Sequence, residues 1–199
     1  EDRYQQQLSF WKERFSEEIP VLNLRTDYPR PDIQRFEGKK IHFTLDEKQS
    51  KNIKELSRKL NCSVFHLLFS AYNILLSRYA LQKDIVIGTP VSGRHHADVE
   101  PIVGMFVNMI PVRTFLNENH TFSEFVSSFK NQFIKDFDYA EIPFEEIVEH
   151  LNIPRDLSRN PLFDTVFTYQ SASGYESQFG ELKFSSFDHE IKTSKFDLT

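Results

Sequence analysis

The apolar positions at the start of the chain recur at helical spacing. Tyr4, Leu8, Trp11 and Phe15 lie three or four residues apart, which predicts a helix over 2–16 with one apolar face. The stretch from Pro20 to Gly38 breaks that rhythm. It carries Pro20, Pro29, Pro31 and many charges, and it reads as an extended connector laid over a surface. Ile41, Phe43 and Leu45 then alternate with polar residues, the pattern of a half-buried strand. Asp46 is placed to cap a helix with Ile53, Leu56 and Leu60 turned inward, and Asn61 to end it. Ser63 caps the next helix. That helix is apolar almost all round from Val64 to Tyr79, so burial on several sides is expected.

Ile85, Val86 and Ile87 form a short continuous apolar run before Gly88, as in a central strand covered on both faces. Val107 to Val112 predicts a second strand, with Pro111 demoting its end to an edge or bulge. Thr121 and Glu124 have the spacing of a capping box. The helix behind them carries Phe122, Phe125, Val126, Phe129, Phe133 and Phe137 along one side. Pro143 suits the first turn of a further helix, with Phe144, Ile147, Val148 and Leu151 inward. Thr165–Tyr169 and Leu182–Phe187 read as strands flanking a polar loop that holds Gly174 and Gly180. Strands alternate with helices, so the predicted class is α/β, a sheet backed by helices.

Composition narrows the function classes. The chain of 199 residues is long enough to bury a core without staples, and its 20 phenylalanines call for a bulky aromatic one. A net charge of −5 lacks the basic face expected of a nucleic-acid binder. The single cysteine, Cys62, excludes an internal disulfide and suits a reducing cytoplasm. No apolar run reaches the roughly 18 residues of a membrane span. The charged, amphipathic start and the ending SKFDLT both read as cuts within a longer protein.

The most tempting chemistry lies between Gly93 and Glu100, where His95 and His96 stand beside Asp98 and Glu100. Adjacent side chains diverge on a strand and on a helix alike, so the two histidines are poorly placed to share a ligand. No second His/Cys cluster completes a zinc shell, and no metal is expected. A polar loop whose carboxylates are solvated or pair with Arg94 accounts for the same residues. Ser92 lacks a nucleophile elbow, since Pro90 stands two residues before it where glycine is required. Cys62 reads as a small core residue. Gly88, Gly93 and Gly104 are followed by no Lys-Ser/Thr pair and form no phosphate loop.

Three stretches are more specific. Ile87-Gly-Thr-Pro-Val-Ser-Gly-Arg94, followed by Val103-Gly-Met-Phe-Val-Asn108, resembles the IGxPxxGR and GMFVN signatures of the condensation domains of nonribosomal peptide synthetases. Tyr139-Ala-Glu-Ile-Pro-Phe-Glu145, with Pro143 and Phe144, resembles their PFE signature. Arg155 to Phe167, with Arg159, Asn160, Pro161 and Phe163, resembles their RDxSRxPLFxxxF signature. Phe10-Trp11-Lys12 and Asp27-Tyr-Pro-Arg-Pro31 resemble the family's entry helix and connector. The resemblance runs along essentially the whole chain, and the order of the stretches matches.

The resemblance implies a chloramphenicol acetyltransferase-like fold, two lobes in a V with a tunnel between them. This chain corresponds to the C-terminal lobe: residues 1–38 as entry helix and connector, and 39–199 as the lobe, truncated at its end. It implies amide formation between acyl groups tethered by 4′-phosphopantetheine arms, with no cofactor bound directly. The implied partners are upstream and downstream peptidyl carrier domains, an adenylation domain and the missing N-terminal lobe, with neither nucleic acid nor membrane. The family's catalytic HHxxxDG motif belongs to the first lobe. After His95-His96 this chain has Glu100-Pro101 where Asp-Gly is required, so the isolated chain is expected to be inactive. Gly88, Pro90, Gly93 and Gly104 are read as structural, as are Pro143, Phe144, Arg155, Arg159, Asn160, Pro161 and Phe163. Asn108, Trp11, Arg94 and Met105 are the candidates for the tunnel wall. Asn108 suits a hold on a thioester or pantetheine oxygen, or merely satisfies backbone at a strand start. Trp11 walls the tunnel or fills the core. Arg94 pairs with a first-lobe carboxylate or a phosphate. A non-catalytic carrier-docking module, or an epimerization or heterocyclization domain, are the alternative readings.

Overall fold

Helices begin where the sequence supplies a capping side chain. The computed structural model describes residues 2–94, 96–170, 177–179, 182–184 and 191–199. Helix α1 spans Asp2–Arg14. Asp46 opens α2 (Glu47–Lys59): its carboxylate accepts the Gln49 N–H at 2.6 Å, and the Gln49 side chain accepts the Asp46 N–H at 3.0 Å. Ser63 opens α3 (Val64–Ala80), and Thr121 with Glu124 forms the predicted capping box of α4 (Phe122–Asp138). Each such cap contributes about 1 kcal/mol. Pro143 precedes α5 (Phe144–His150). Asn61 does stop α2, adopting φ +50° just beyond it.

The sheet is built around β1 (Asp84–Val91), which pairs antiparallel with β2 (Asn108–Phe115) from Asp84↔Phe115 to Val91↔Asn108. On the other side of β1 the chain returns in parallel. Gly88 bridges Val166, and Thr165 bridges Leu198. The Gly88 N–H donates to the Thr165 carbonyl at 2.9 Å, and the Phe167 N–H donates to the Gly88 carbonyl at 2.9 Å. The sheet is therefore mixed. Ile85, Val86 and Ile87 are buried, as expected of a strand covered on both faces. Helices α3 and α4 meet through an aromatic seam in which the Phe69 ring lies 5.0 Å from Phe129 and 4.7 Å from Phe167. Such pairs contribute about 0.5–1.5 kcal/mol each beyond their buried area. A short hairpin, β3 (Ser177–Phe179) and β4 (Leu182–Phe184), stands apart from this sheet. Among the described residues no single helix is long and apolar enough to cross a membrane.

Several sequence expectations need correction. Residues 41–45 form no strand, and Ile41 and Phe43 are more than 80% exposed, at 85% and 84%. Alternation supplies a strand with a face but not with a neighbour, and no described strand lies alongside this one. Helix α2 is thinly packed: Leu56 is exposed, Ile53 and Leu60 are only half-buried, and Ser57 is its buried residue. Helix α3 packs against α2, α4 and β1, as expected of a helix buried on several sides, but one face is open. Leu75 and Tyr79 face out, while Ser70 and Asn73 are buried. Phe122 and Phe137, at the two ends of the α4 stripe, are also exposed. Thr165–Tyr169 forms isolated bridges at Thr165 and Val166 rather than a full strand, with the Phe167 N–H bonded to Gly88. The strand expected at Leu182–Phe187 is found to Phe184, and its last three residues, like Gly174 and Gly180, lie outside the described residues.

Pro111 stands on an edge strand, as expected, but not at its end. It sits in the middle of β2, opposite Gly88, and β2 runs on to Phe115. Because both Gly88 polar groups turn toward residues 165–167, Gly88↔Pro111 is a non-hydrogen-bonded pair. The missing proline N–H therefore points to the outer edge of β2, where no ladder requires it.

Gly88 is required by close approach. A Cβ built there would run into the Phe163 ring at three of its carbons. Phe163 is delivered by a tight turn: its N–H donates to the Pro161 carbonyl at 2.8 Å around Leu162, which adopts φ +66°. This γ-turn geometry is strained for a non-glycine residue and is held by its surroundings. Replacing Gly88 by Ala is expected to cost about 1–3 kcal/mol through overpacking. Denaturant unfolding measures it, and Phe163→Leu in the same chain should recover part of the loss. An unchanged midpoint for Gly88→Ala alone would refute the contact.

Candidate functional site

Three sequence stretches meet at the end of the sheet where β1 finishes and β2 begins. The loop between those strands is shaped from its first residues. Gly93 adopts φ +63° with the Phe106 carbonyl directly against its α-carbon, a place no side chain could occupy. Arg94 then reaches across the loop. Its guanidinium donates to the carbonyls of Val99, Glu100 (3.3 Å) and Gly104 (3.2 Å), and it lies 4.3 Å from the centre of the Phe106 ring. The clamp leaves Val103 and Met105 almost wholly exposed on a loop whose backbone is fixed.

Asn108 closes the other root of the loop. Its Nδ2 donates to the carbonyls of Ala140 (3.0 Å) and Ile142 (2.8 Å). Its Oδ1 accepts the N–H groups of Met109 (2.9 Å) and Phe144 (3.1 Å). One carboxamide thus joins the start of β2 to the Tyr139–Phe144 turn and the first residue of α5, and all of its donors and acceptors are used. Helix α1 holds the same turn from behind. Trp11 is fully buried and its indole N–H donates to the Tyr139 carbonyl at 2.9 Å. Gln7 accepts the Ile142 N–H at 2.9 Å and donates to Glu141 at 3.0 Å. The Phe10 ring stacks on Tyr139 at 4.1 Å.

The third stretch enters through Phe163, whose ring contacts Gly88 and lies 5.1 Å from Phe144. Arg159 pairs with the buried Asp164 and donates to the Leu22 carbonyl, tying the turn to the connector. Burial pushes the Asp164 carboxyl up, and the Arg159 guanidinium offsets this only in part. Asn160 donates to the Lys195 carbonyl at 3.0 Å, Arg30 pairs with Asp197, and Gln34 donates to the Lys195 carbonyl at 3.0 Å. Residues 30–38, 155–166 and 192–198 are stitched into one surface. Arg155 and Pro161 are exposed, and Pro90 is half-buried.

The structure thus brings Gly88, Gly93, Arg94, Asn108, Pro143, Phe144 and Phe163 together. Gly104 and Met105 stand outward on the clamped loop, and Trp11 stands in the core behind it. His96 sits in an exposed turn, caps the 3₁₀ turn Ala97–Val99 and lies 3.3 Å from the Asp98 carboxylate. His95 lies outside the described residues. Among the described residues no three His, Cys, Asp or Glu side chains gather as a metal shell. Gln7 is a site residue that the hydrophobic pattern hid. Its signal was a polar side chain four residues before Trp11, on the same face of the helix. Phe106 was hidden too, as an aromatic inside a polar loop.

A condensation domain family model matches residues 1–199. The chain is 42% identical over 196 residues to surfactin synthase subunit 1 of Bacillus subtilis (strain 168), covering 98% of the chain and 6% of that protein. It is 41% identical over 198 residues to gramicidin S synthase 2 of Brevibacillus brevis, covering 100% of the chain and 4% of that protein. Among solved structures it resembles the X-domain from teicoplanin biosynthesis, with TM-score 0.85 and 26% identity over 98% of this chain and 44% of that one. It also resembles a holo four-domain nonribosomal peptide synthetase bound to AMP and glycine, with TM-score 0.81 and 28% identity over 84% of this chain and 13% of that one. The chain therefore spans a small fraction of the curated relatives it matches.

The latch gives Asn108 a measurable weight. Asn108→Ala leaves two carbonyls and two N–H groups without their partner, so a loss of about 2–3 kcal/mol is expected. Asn108→Asp keeps the acceptor but turns a carboxylate toward the Ala140 and Ile142 carbonyls, and it should cost at least as much. Thermal unfolding of the two variants checks this. An unchanged midpoint for Asn108→Ala would mean that the carboxamide is free for another duty.

Proposed function

The chain belongs to the condensation domain family, and from that premise we propose that it forms the C-terminal lobe of a domain that joins two carrier-tethered acyl groups through an amide. In that reaction the acceptor's amine nitrogen attacks the donor's thioester carbonyl. The C–S bond breaks, the amine proton leaves, and the donor's phosphopantetheine arm departs as its thiol. The observation that carries the reading is the convergence of the Gly88–Asn108, Tyr139–Glu145 and Arg155–Phe167 stretches on Asn108 and Phe163, at one end of the sheet.

In this reading the chain supplies a wall rather than a base. Met105 and Val103 are the side chains offered to the passage, and Arg94 fixes the loop that carries them. Asn108 and Trp11 set the wall's position from behind through the Tyr139–Phe144 turn. The 4′-phosphopantetheine arms enter as tethers of the substrates. The proposed partners are the N-terminal lobe, the two peptidyl carrier domains and an adenylation domain, in the cytoplasm. A second reading, a docking module without chemistry, has one specific support: the likeness to the X-domain, which has also been solved in complex with OxyB.

The test uses donor and acceptor carrier proteins loaded with their acyl groups, with amide product followed by mass spectrometry. The intact domain should form product and the 199-residue chain alone should form none, since its sequence carries no HHxxxDG motif to accept the amine proton. His96→Ala in the intact domain should cost little, because His96 stands in an exposed turn. A loss of several orders of magnitude there, or condensation by the fragment, would overturn the assignment. An intact domain that binds loaded carriers but never forms product would favour docking.

A further inference from the structure

The seam between α3 and α4 contains an imidazole that neither the loop nor the latch uses. His66 is the third residue of α3. Ser63 Oγ accepts the His66 N–H at 3.2 Å and lies 2.7 Å from His66 Nδ1. The hydroxyl thus donates to Nδ1 while accepting from the backbone, a side-chain partner in the place where a capping box has Glu or Gln. In the neutral ring the proton then sits on Nε2. That nitrogen is buried and has no hydrogen-bond partner. The ring stands edge-on among phenylalanines, 5.4 Å from Phe65, 5.4 Å from Phe133 and 6.4 Å from Phe129.

The one charge acting on the ring among the described residues is a cation. From α4 the Lys130 ammonium, which donates to the Asn61 carbonyl at 2.7 Å, acts on His66 as a like charge. The turn before α3 adds the Cys62 thiol, which burial pushes up and the same ammonium draws down. Among the described residues no carboxylate accepts from either ring nitrogen.

We propose that His66 is a proton sensor at the α3–α4 seam: neutral, it completes the cap of α3 and packs among the phenylalanines; protonated, it loosens both. Protonation makes Nδ1 a donor, so the Ser63 hydroxyl can no longer donate to it. It also places a cation in an apolar seam beside Lys130. Burial first, and Lys130 second, hold the His66 pKa below its ordinary value. The sign follows. A group kept neutral by the fold contributes its full stability above the unfolded value of about 6.5, and that contribution is lost as pH falls through 6.5 toward the folded value. The opposing physics is a cation–π attraction to the surrounding rings, which would raise the pKa instead.

Two measurements on the chain decide. NMR titration of the His66 ring should give a midpoint below the ordinary histidine value. Thermal midpoints taken from about pH 7.5 down to about pH 5 should fall more for the natural chain than for His66→Gln, which keeps a Ser-x-x-Gln cap and cannot titrate. A midpoint at or above the ordinary value, or equal falls in the two proteins, overturns the proposal. Should His66→Gln not fold, the NMR midpoint decides alone.

Discussion

The absence of a side chain at residue 88 is the constraint on which the rest depends. The Phe163 ring occupies the space that a Cβ would take, and it does so while the Gly88 backbone bonds residues 165 and 167. One residue therefore sets both the spacing of the sheet and the seat of the aromatic that packs on it. Phe163 in turn touches Phe144, which opens α5, and lies 5.8 Å from Phe196 in the returning C-terminal segment. A strained left-handed Leu162 is the cost of delivering the ring there, about 1–3 kcal/mol for such a conformation. Burying a phenylalanine is worth a comparable amount.

The outer edge of β2 shows how the same chain guards itself. The ladder alternation turns Met109, Pro111 and Arg113 outward. The Met109 N–H is taken by Asn108, Pro111 has none, and the Arg113 carbonyl accepts from Arg14. Arg14 is itself paired with the fully buried Asp136 of α4, whose carboxyl burial pushes up despite that partner. An incoming strand would find few free groups to bond, which is how natural sheets blunt an edge. The proline and the carboxamide come from β2 itself and the ion pair from α1 and α4, yet all act along a single line.

What the sequence made legible is what local chemistry decides. Asp46, Ser63 and Thr121 cap the helices they were expected to cap, because a cap is settled within four residues. The α/β class and the burial of Ile85–Ile87 followed from patterns of comparable reach. The misses concern partners far away in the chain. Nothing within residues 41–45 says whether a neighbouring strand lies alongside them, and nothing in α3 says that Ser70 and Asn73, rather than Leu75 and Tyr79, would turn inward. Asn108 stands out for its carboxamide, but apart from Met109 the residues it bonds lie more than thirty positions on, so its attachment to the Tyr139–Phe144 turn is invisible in the sequence.

Arg94 holds its loop by main-chain oxygens, and its guanidinium also lies over the Phe106 ring. Carbonyls are the same whatever residue carries them. The contour of the loop is therefore insulated from the identity of Val103 and Met105, and those two positions are free to be exchanged without refolding what presents them. Such a loop separates its architecture from its vocabulary: the frame is drawn in carbonyls, and the side chains are the words displayed on it.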